Sequence, residues 1–135
     1  MKPLLKLTLP LEVLVGIKKG KPNIFRLNLN IYRSTHYRVL NTAKIAYSDL
    51  VLEFIPKSVK PFNCPIRIEY TLFTGTKRKC DVSNVCSVVD KFACDCLTKA
   101  GLIEDDNYEH VKEVVYRYGG FDKGFERVEM EVYEY

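Results

Sequence analysis

The chain is expected to fold as one α+β (mixed α/β) domain, with two helices packed on one mainly antiparallel or mixed sheet in the order β-β-α-β-α-β-β. Three observations predict this. Short stretches alternate apolar and polar residues, two longer ones carry apolar residues at three-to-four spacing, and Gly/Pro clusters separate them. A length of 135 residues suits a single core, so residues 1–135 are read as one domain.

Leu5, Leu7 and Leu9 alternate with Lys6 and Thr8 as a strand does, and Pro10 stops the run. Phe25, Leu27, Leu29 and Ile31 alternate with polar residues and predict a second strand over Ile24 to Ile31. Gly16 and Gly20-Lys21-Pro22 supply turn chemistry between the two. Ser34 is read as the N-cap of a helix reaching about Phe54, with Val39, Ala43, Ala46, Tyr47, Leu50 and Phe54 on one face. Pro56 and Pro61 end it. Ile66, Ile68, Tyr70 and Leu72 mark the next strand. Val85, Val88, Val89, Phe92 and Cys96 mark a second helix over Val82 to Lys99, closed by Gly101. Strands near His110 to Tyr118 and Arg127 to Tyr133 follow, joined through Gly119-Gly120.

Composition narrows the function. A net charge of +4 makes DNA one plausible partner among several. No apolar run is long enough to span a bilayer, and the first residues lack a signal-peptide pattern, so a cytoplasmic protein is expected. Five cysteines without a C-x-x-C pair suit reduced, buried thiols. Cys94 and Cys96 would point about 200° apart on a helix, which argues against a shared zinc. There is no P-loop, no G-x-G-x-x-G and no G-x-S-x-G, so no nucleotide cofactor is expected. His36 and His110 lack metal-ligand spacing and are read as structural or surface groups.

The charged groups that could carry chemistry surround the second helix. Asp81 stands just ahead of it, preceded by Lys77-Arg78-Lys79. On the helix, Asn84, Lys91 and Asp95 fall within about 40° of each other, with Ser87 beside them. Behind it, Glu104-Asp105-Asp106-Asn107 concentrates carboxylates, which costs electrostatic energy unless a cation neutralises them. Each feature alone is also what a solvated face or turn looks like. Together they combine anions for a hard metal with cations for a phosphate backbone. Lys18 and Lys19, in a second basic loop, are further candidates for DNA contact.

The run from Asp90 to Asp106, with Lys91, Asp95, Ala100-Gly101 and Asp105-Asp106, resembles the signature of the RusA-like Holliday-junction resolvases. Asp81-Val82-Ser83-Asn84 is similar to that family's D-x-D-N motif, and Asn30-Ile31-Tyr32-Arg33 to its N-x-Y-R segment. The resemblance implies Mg²⁺-dependent resolution of four-way DNA junctions by paired nicks, with Mn²⁺ as a substitute metal. It also implies a homodimer and a bacterial or phage-encoded origin. Carried over, Asp81 and Asp106, helped by Asp105, are the metal ligands and Lys91 the catalytic lysine; the basic run Lys77, Arg78 and Lys79, with Arg33, is expected to contact phosphates. Ser83 replaces the second aspartate of the motif, and about four extra residues separate Asn84 from Lys91. Asp90, Asn84 and Ser83 are therefore secondary candidates. A DNA-binding module that has lost cleavage is the alternative. The nuclease reading requires Asp81 and Asp106 to meet around one ion; the binding module does not.

Overall fold

A computed structural model describes residues 1–135. Its elements are β1 (Leu5–Leu9), β2 (Glu12–Lys18), β3 (Lys21–Arg26), α1 (Leu29–Ser34), α2 (Tyr37–Leu52), β4 (Ile66–Thr74), α3 (Val82–Lys99), β5 (Val111–Phe121) and β6 (Arg127–Glu134). Four strands form a mixed sheet in the order β1-β6-β4-β5, and β2 with β3 makes a separate hairpin. The α+β class and the mixed sheet are as expected. Two elements are additional, and two boundaries move.

The added strand is β2. Among its seven residues only Val13 is buried, so its alternation is weak and the stretch reads as a turn. Backbone pairing with β3 holds it, and Lys19 (φ 51°) and Gly20 (φ 74°) make the two-residue connection with both residues left-handed. The expected strand over Ile24 to Ile31 stops at Arg26, because the Asn28 side chain accepts the N–H groups of Asn30 and Ile31 and starts α1. Ser34 is no N-cap. It ends α1, and its hydroxyl donates to the Asn30 carbonyl at 2.9 Å. His36 caps α2 instead, its Nδ1 accepting the Arg38 N–H at 3.2 Å.

The β4–α3–β5 unit positions everything that follows. β4 and β5 are parallel, so the chain must cross back between them, and α3 does this over one face of the sheet. Alternation in β4 sends Ile66, Ile68, Tyr70 and Leu72 under α3. The other face carries Arg67, Glu69, Arg117 and Glu129, which are ion-paired with neighbours. From α3, Phe92 stacks on Phe25 at 5.8 Å and meets Tyr47 of α2 edge-on at 5.5 Å, joining hairpin, sheet helix and outer helix. The buried apolar residues form one continuous core. No helix is long and apolar enough to cross a membrane.

Candidate functional site

Asp81 occupies the N-cap of α3, yet its carboxylate makes no capping hydrogen bond and lies exposed. An N-cap aspartate ordinarily accepts a first-turn N–H. Here the acid is left available at the positive end of an 18-residue helix. It lines a cleft of about 550 Å³ together with Arg78, Lys79, Asn84, Asn28 and Asn30. Arg26 and Glu126 close one side of the cleft by pairing with each other at 2.5 and 2.6 Å. That bond holds the Glu126 carboxyl below the usual glutamate range. A neighbouring groove shares Arg78, Lys79 and Asp81 and adds Lys77, Tyr118 and Phe121. The basic run, Asp81 and Asn84 therefore converge on one surface, as their sequence proximity suggests.

Asp106 belongs to a different place. Its charge bears on Cys94 and Asp95, in the second half of α3. Thirteen or fourteen residues of helix separate that level from Asp81, which is about 20 Å at 1.5 Å per residue. Within one chain the two acids thus stand near opposite ends of α3 and do not reach a common ion. No group of three His, Cys, Asp or Glu side chains is gathered in one chain in a way that could hold a metal.

The acidic turn has its own order. Asp105 accepts the Asp106 N–H at 2.8 Å and the Asn107 side-chain N–H at 3.0 Å, and these bonds lower its pKa. Asp106 is raised, first by partial burial and then by the charge and hydrogen bonding of Asp105, with Asp95 adding repulsion. Two adjacent carboxylates are thereby driven apart in acidity.

Lys91 is exposed, with Nζ 6.0 Å from the centre of the Tyr32 ring, and Lys44 lies 5.8 Å from the same ring. Lys44 also reaches Asp95 at 3.9 Å. Lys91 therefore shares the outer, α1-side stripe of α3 with Asp95, about 15 Å along the helix from Asp81. Arg33 sits exposed in the last turn of α1, Ser83 is exposed in the first turn of α3, Lys18 ends β2 opposite Lys21, and Lys19 lies in the hairpin turn.

Asp90 has a part that sequence spacing did not disclose. Its Oδ1 accepts from the Tyr70 hydroxyl at 2.7 Å and from the Cys94 thiol at 3.3 Å, while Oδ2 accepts from the Tyr116 hydroxyl at 3.2 Å. Burial and the Asp90 charge raise Tyr70, Tyr116 and Cys94 well above their ordinary values, so all three stay protonated as donors. The Asp90–Cys94 spacing of four residues was a visible signal. Tyr70 was hidden among core positions of its strand.

No protein-family model matches the chain, and no curated protein matches it in sequence.

Proposed function

We propose that the chain is a divalent-metal-dependent DNA endonuclease that nicks four-way junctions as a homodimer. The observation that carries this reading is the cleft at the head of α3, where an uncapped carboxylate faces Arg78, Lys79 and three asparagine side chains. Mg²⁺ commonly takes one or two protein carboxylates and completes its shell with water and substrate phosphate. Asp81 fits that donor set, with Asp106 and Asp105 as the ligands from the turn if the two regions meet. Bound there, the metal would supply Lewis-acid stabilisation of the phosphoryl oxygens.

The chain's own residues then have definite tasks. Arg78 and Lys79 neutralise phosphates on either side of the scissile one, positioning DNA without reading bases. The first-turn N–H groups of α3, which Asp81 leaves without a side-chain acceptor, add partial positive charge. Asn84 and Asn28 offer neutral hydrogen bonds to the sugar-phosphate chain. Lys91 is too far from Asp81 in one chain to touch the same phosphate.

A synthetic four-way junction incubated with Mg²⁺ and with EDTA tests the reading, beside Asp81→Asn and Asp106→Asn. Metal-dependent nicks lost in both variants are expected. Arg78→Ala and Lys79→Ala should each weaken binding and lower the slope of log K against log salt by about 0.9. A second reading, a phosphate-binding module without cleavage, is favoured by the distance between Asp81 and Asp106 within one chain. Salt-sensitive binding with no nicks in Mg²⁺ or Mn²⁺ selects it.

A further inference from the structure

Away from the cleft at Asp81, a recess of about 480 Å³ opens between α1 and α2. Helical spacing builds it. Tyr37, Leu40, Asn41 and Lys44 recur at short helical intervals, so they share one stripe of α2, with Arg38 at its margin. Tyr32 of α1 completes the lining. Its ring meets Phe92 of α3 edge-on at 6.4 Å, which anchors it to the core. Tyr37 is placed differently. It stands at the first position of α2, 68% exposed and tilted against the His36 ring at 4.5 Å. Core packing does not account for a ring held there.

The charges around the recess have one sign. The Arg38 guanidinium lies 5.9 Å from the centre of the Tyr37 ring, and the Lys44 and Lys91 ammonium groups lie 5.8 and 6.0 Å from that of Tyr32. Of these three cations only Lys44 meets a carboxylate, Asp95 at 3.9 Å. No acid lines the recess, and none occupies the first turn of α2. Exposed aromatic faces beside cations suit a planar ring that carries negative charge on its flanks. A simple anion has no use for the tyrosines, and an apolar ligand has none for the cations. A nucleotide uses both. Arg38 and Lys44 are six residues apart, about 9 Å along the helix. That separation suits the two phosphates that flank a nucleotide within a strand better than the single phosphate of a free one. Asn41, between the two cations in sequence, offers a donor and an acceptor to a base edge.

We propose that this recess holds one unpaired nucleotide of a single strand, its base against Tyr37 and its flanking phosphates on Arg38 and Lys44. The site does not rest on the endonuclease reading, since it uses neither Asp81 nor a metal. α1 joins the two regions all the same. Asn30 and Ile31 line the Asp81 cleft, and the next residue, Tyr32, lines the recess. A base paired in a duplex keeps its faces on its neighbours, so only an unpaired one presents a face to Tyr37.

Binding of labelled oligo(dT) and oligo(rU) strands, followed by fluorescence anisotropy in EDTA across a salt series, tests the site without a metal. Tyr37→Ala should weaken binding about 5- to 150-fold, as loss of a stacked base does. Its slope of log K against log salt should stay at the wild-type value, because the lost ring carries no charge. Tyr37→Phe should bind as wild type. Arg38→Ala and Lys44→Ala should each weaken binding and lower the slope by about 0.7. A duplex of the same length should not distinguish Tyr37→Ala from wild type. The tighter of the two strands identifies the source as DNA or RNA. Tyr37 and Arg38 are exposed, so neither change reaches the core.

The cleft at Asp81 is separated from the recess by repeating the series in Arg78→Ala with Lys79→Ala, where the dependence on Tyr37 should persist. A strand carrying 5-bromouracil should cross-link on irradiation to the segment from Tyr37 to Lys44. Tyr37→Ala that binds both strands as wild type does, cross-links confined to the segment from Lys77 to Asn84, or loss of all strand binding in the Arg78, Lys79 background overturns the site. Thymidine monophosphate that binds as tightly as the strand overturns it as well.

Discussion

Asp90 is a carboxylate that holds structure together from a position where a catalytic acid was only a secondary expectation. Tyr70 is fully buried, and its hydroxyl depends on Asp90 and on a longer contact of 3.9 Å to Cys94. Removing a buried acceptor leaves the donor desolvated and unpaired, which costs about 1–3 kcal/mol. Asp90→Ala should therefore lower the urea midpoint by that equivalent. Tyr70→Phe should recover part of the loss when combined with it, since the unpaired hydroxyl is then gone. A double-mutant cycle with no coupling between Asp90 and Tyr70 would contradict this account. Asp81 behaves in the opposite way. It makes no capping bond, so Asp81→Asn should leave the midpoint within about 0.5 kcal/mol of wild type, as an exposed substitution does, while removing metal-dependent nicking.

At the scale of elements, β5 joins a close approach to an exposed edge. Its register against β4 slips between Leu72 and Phe73, and Gly119 is the residue the slip leaves over. A Cβ there would stand 2.6 Å from both Phe73 Cζ and Thr71 Cγ2, inside any permitted contact. Gly119→Val should therefore cost about 1–3 kcal/mol through overpacking, visible as a lowered thermal midpoint. A neutral result would mean that the two side chains turn away freely. The hairpin is tied to the β5–β6 connection by the Arg26–Glu126 pair. Since the folded-state pKa of Glu126 is depressed, that stabilisation is present above the ordinary glutamate range and fades as pH falls through the lower folded value. Amide protection factors in β3, which correct for the slower intrinsic exchange in acid, should fall at acid pH ahead of those in β4. Glu126→Gln should show the lowered β3 protection already at neutral pH.

Legibility follows the same division. α3 was readable over Val82–Lys99 because its apolar stripe is continuous and Gly101 stops it. β4 was readable because both of its neighbours are strands and its buried face alternates without interruption. β2 was not, since a hairpin held by backbone bonds and mostly exposed side chains needs little apolar period. Ser34 misled because its hydroxyl can satisfy a helix's last carbonyls as readily as a new helix's first amides. The Asp81, Arg78, Lys79 and Asn84 cleft followed from nearness in the chain. The position of Asp106 did not, because sequence order places it after α3 without saying how far back along the helix the turn folds.

For the whole molecule, the proposed homodimer is the property that protein concentration tests. A chain of 135 residues buries enough apolar surface to fold alone, so the proposed second copy is not required by the core. Dimer formation then acts on stability by mass action. Where the dimer is populated and unfolds to two free chains, a tenfold rise in protein concentration should raise the thermal midpoint by about 2–3 °C, given an unfolding entropy near 2.1 cal/mol/K per residue. A midpoint that stays flat with wild-type concentration would count against the homodimer and leave Asp81 and Asp106, about 20 Å apart in one chain, without a route to a shared ion.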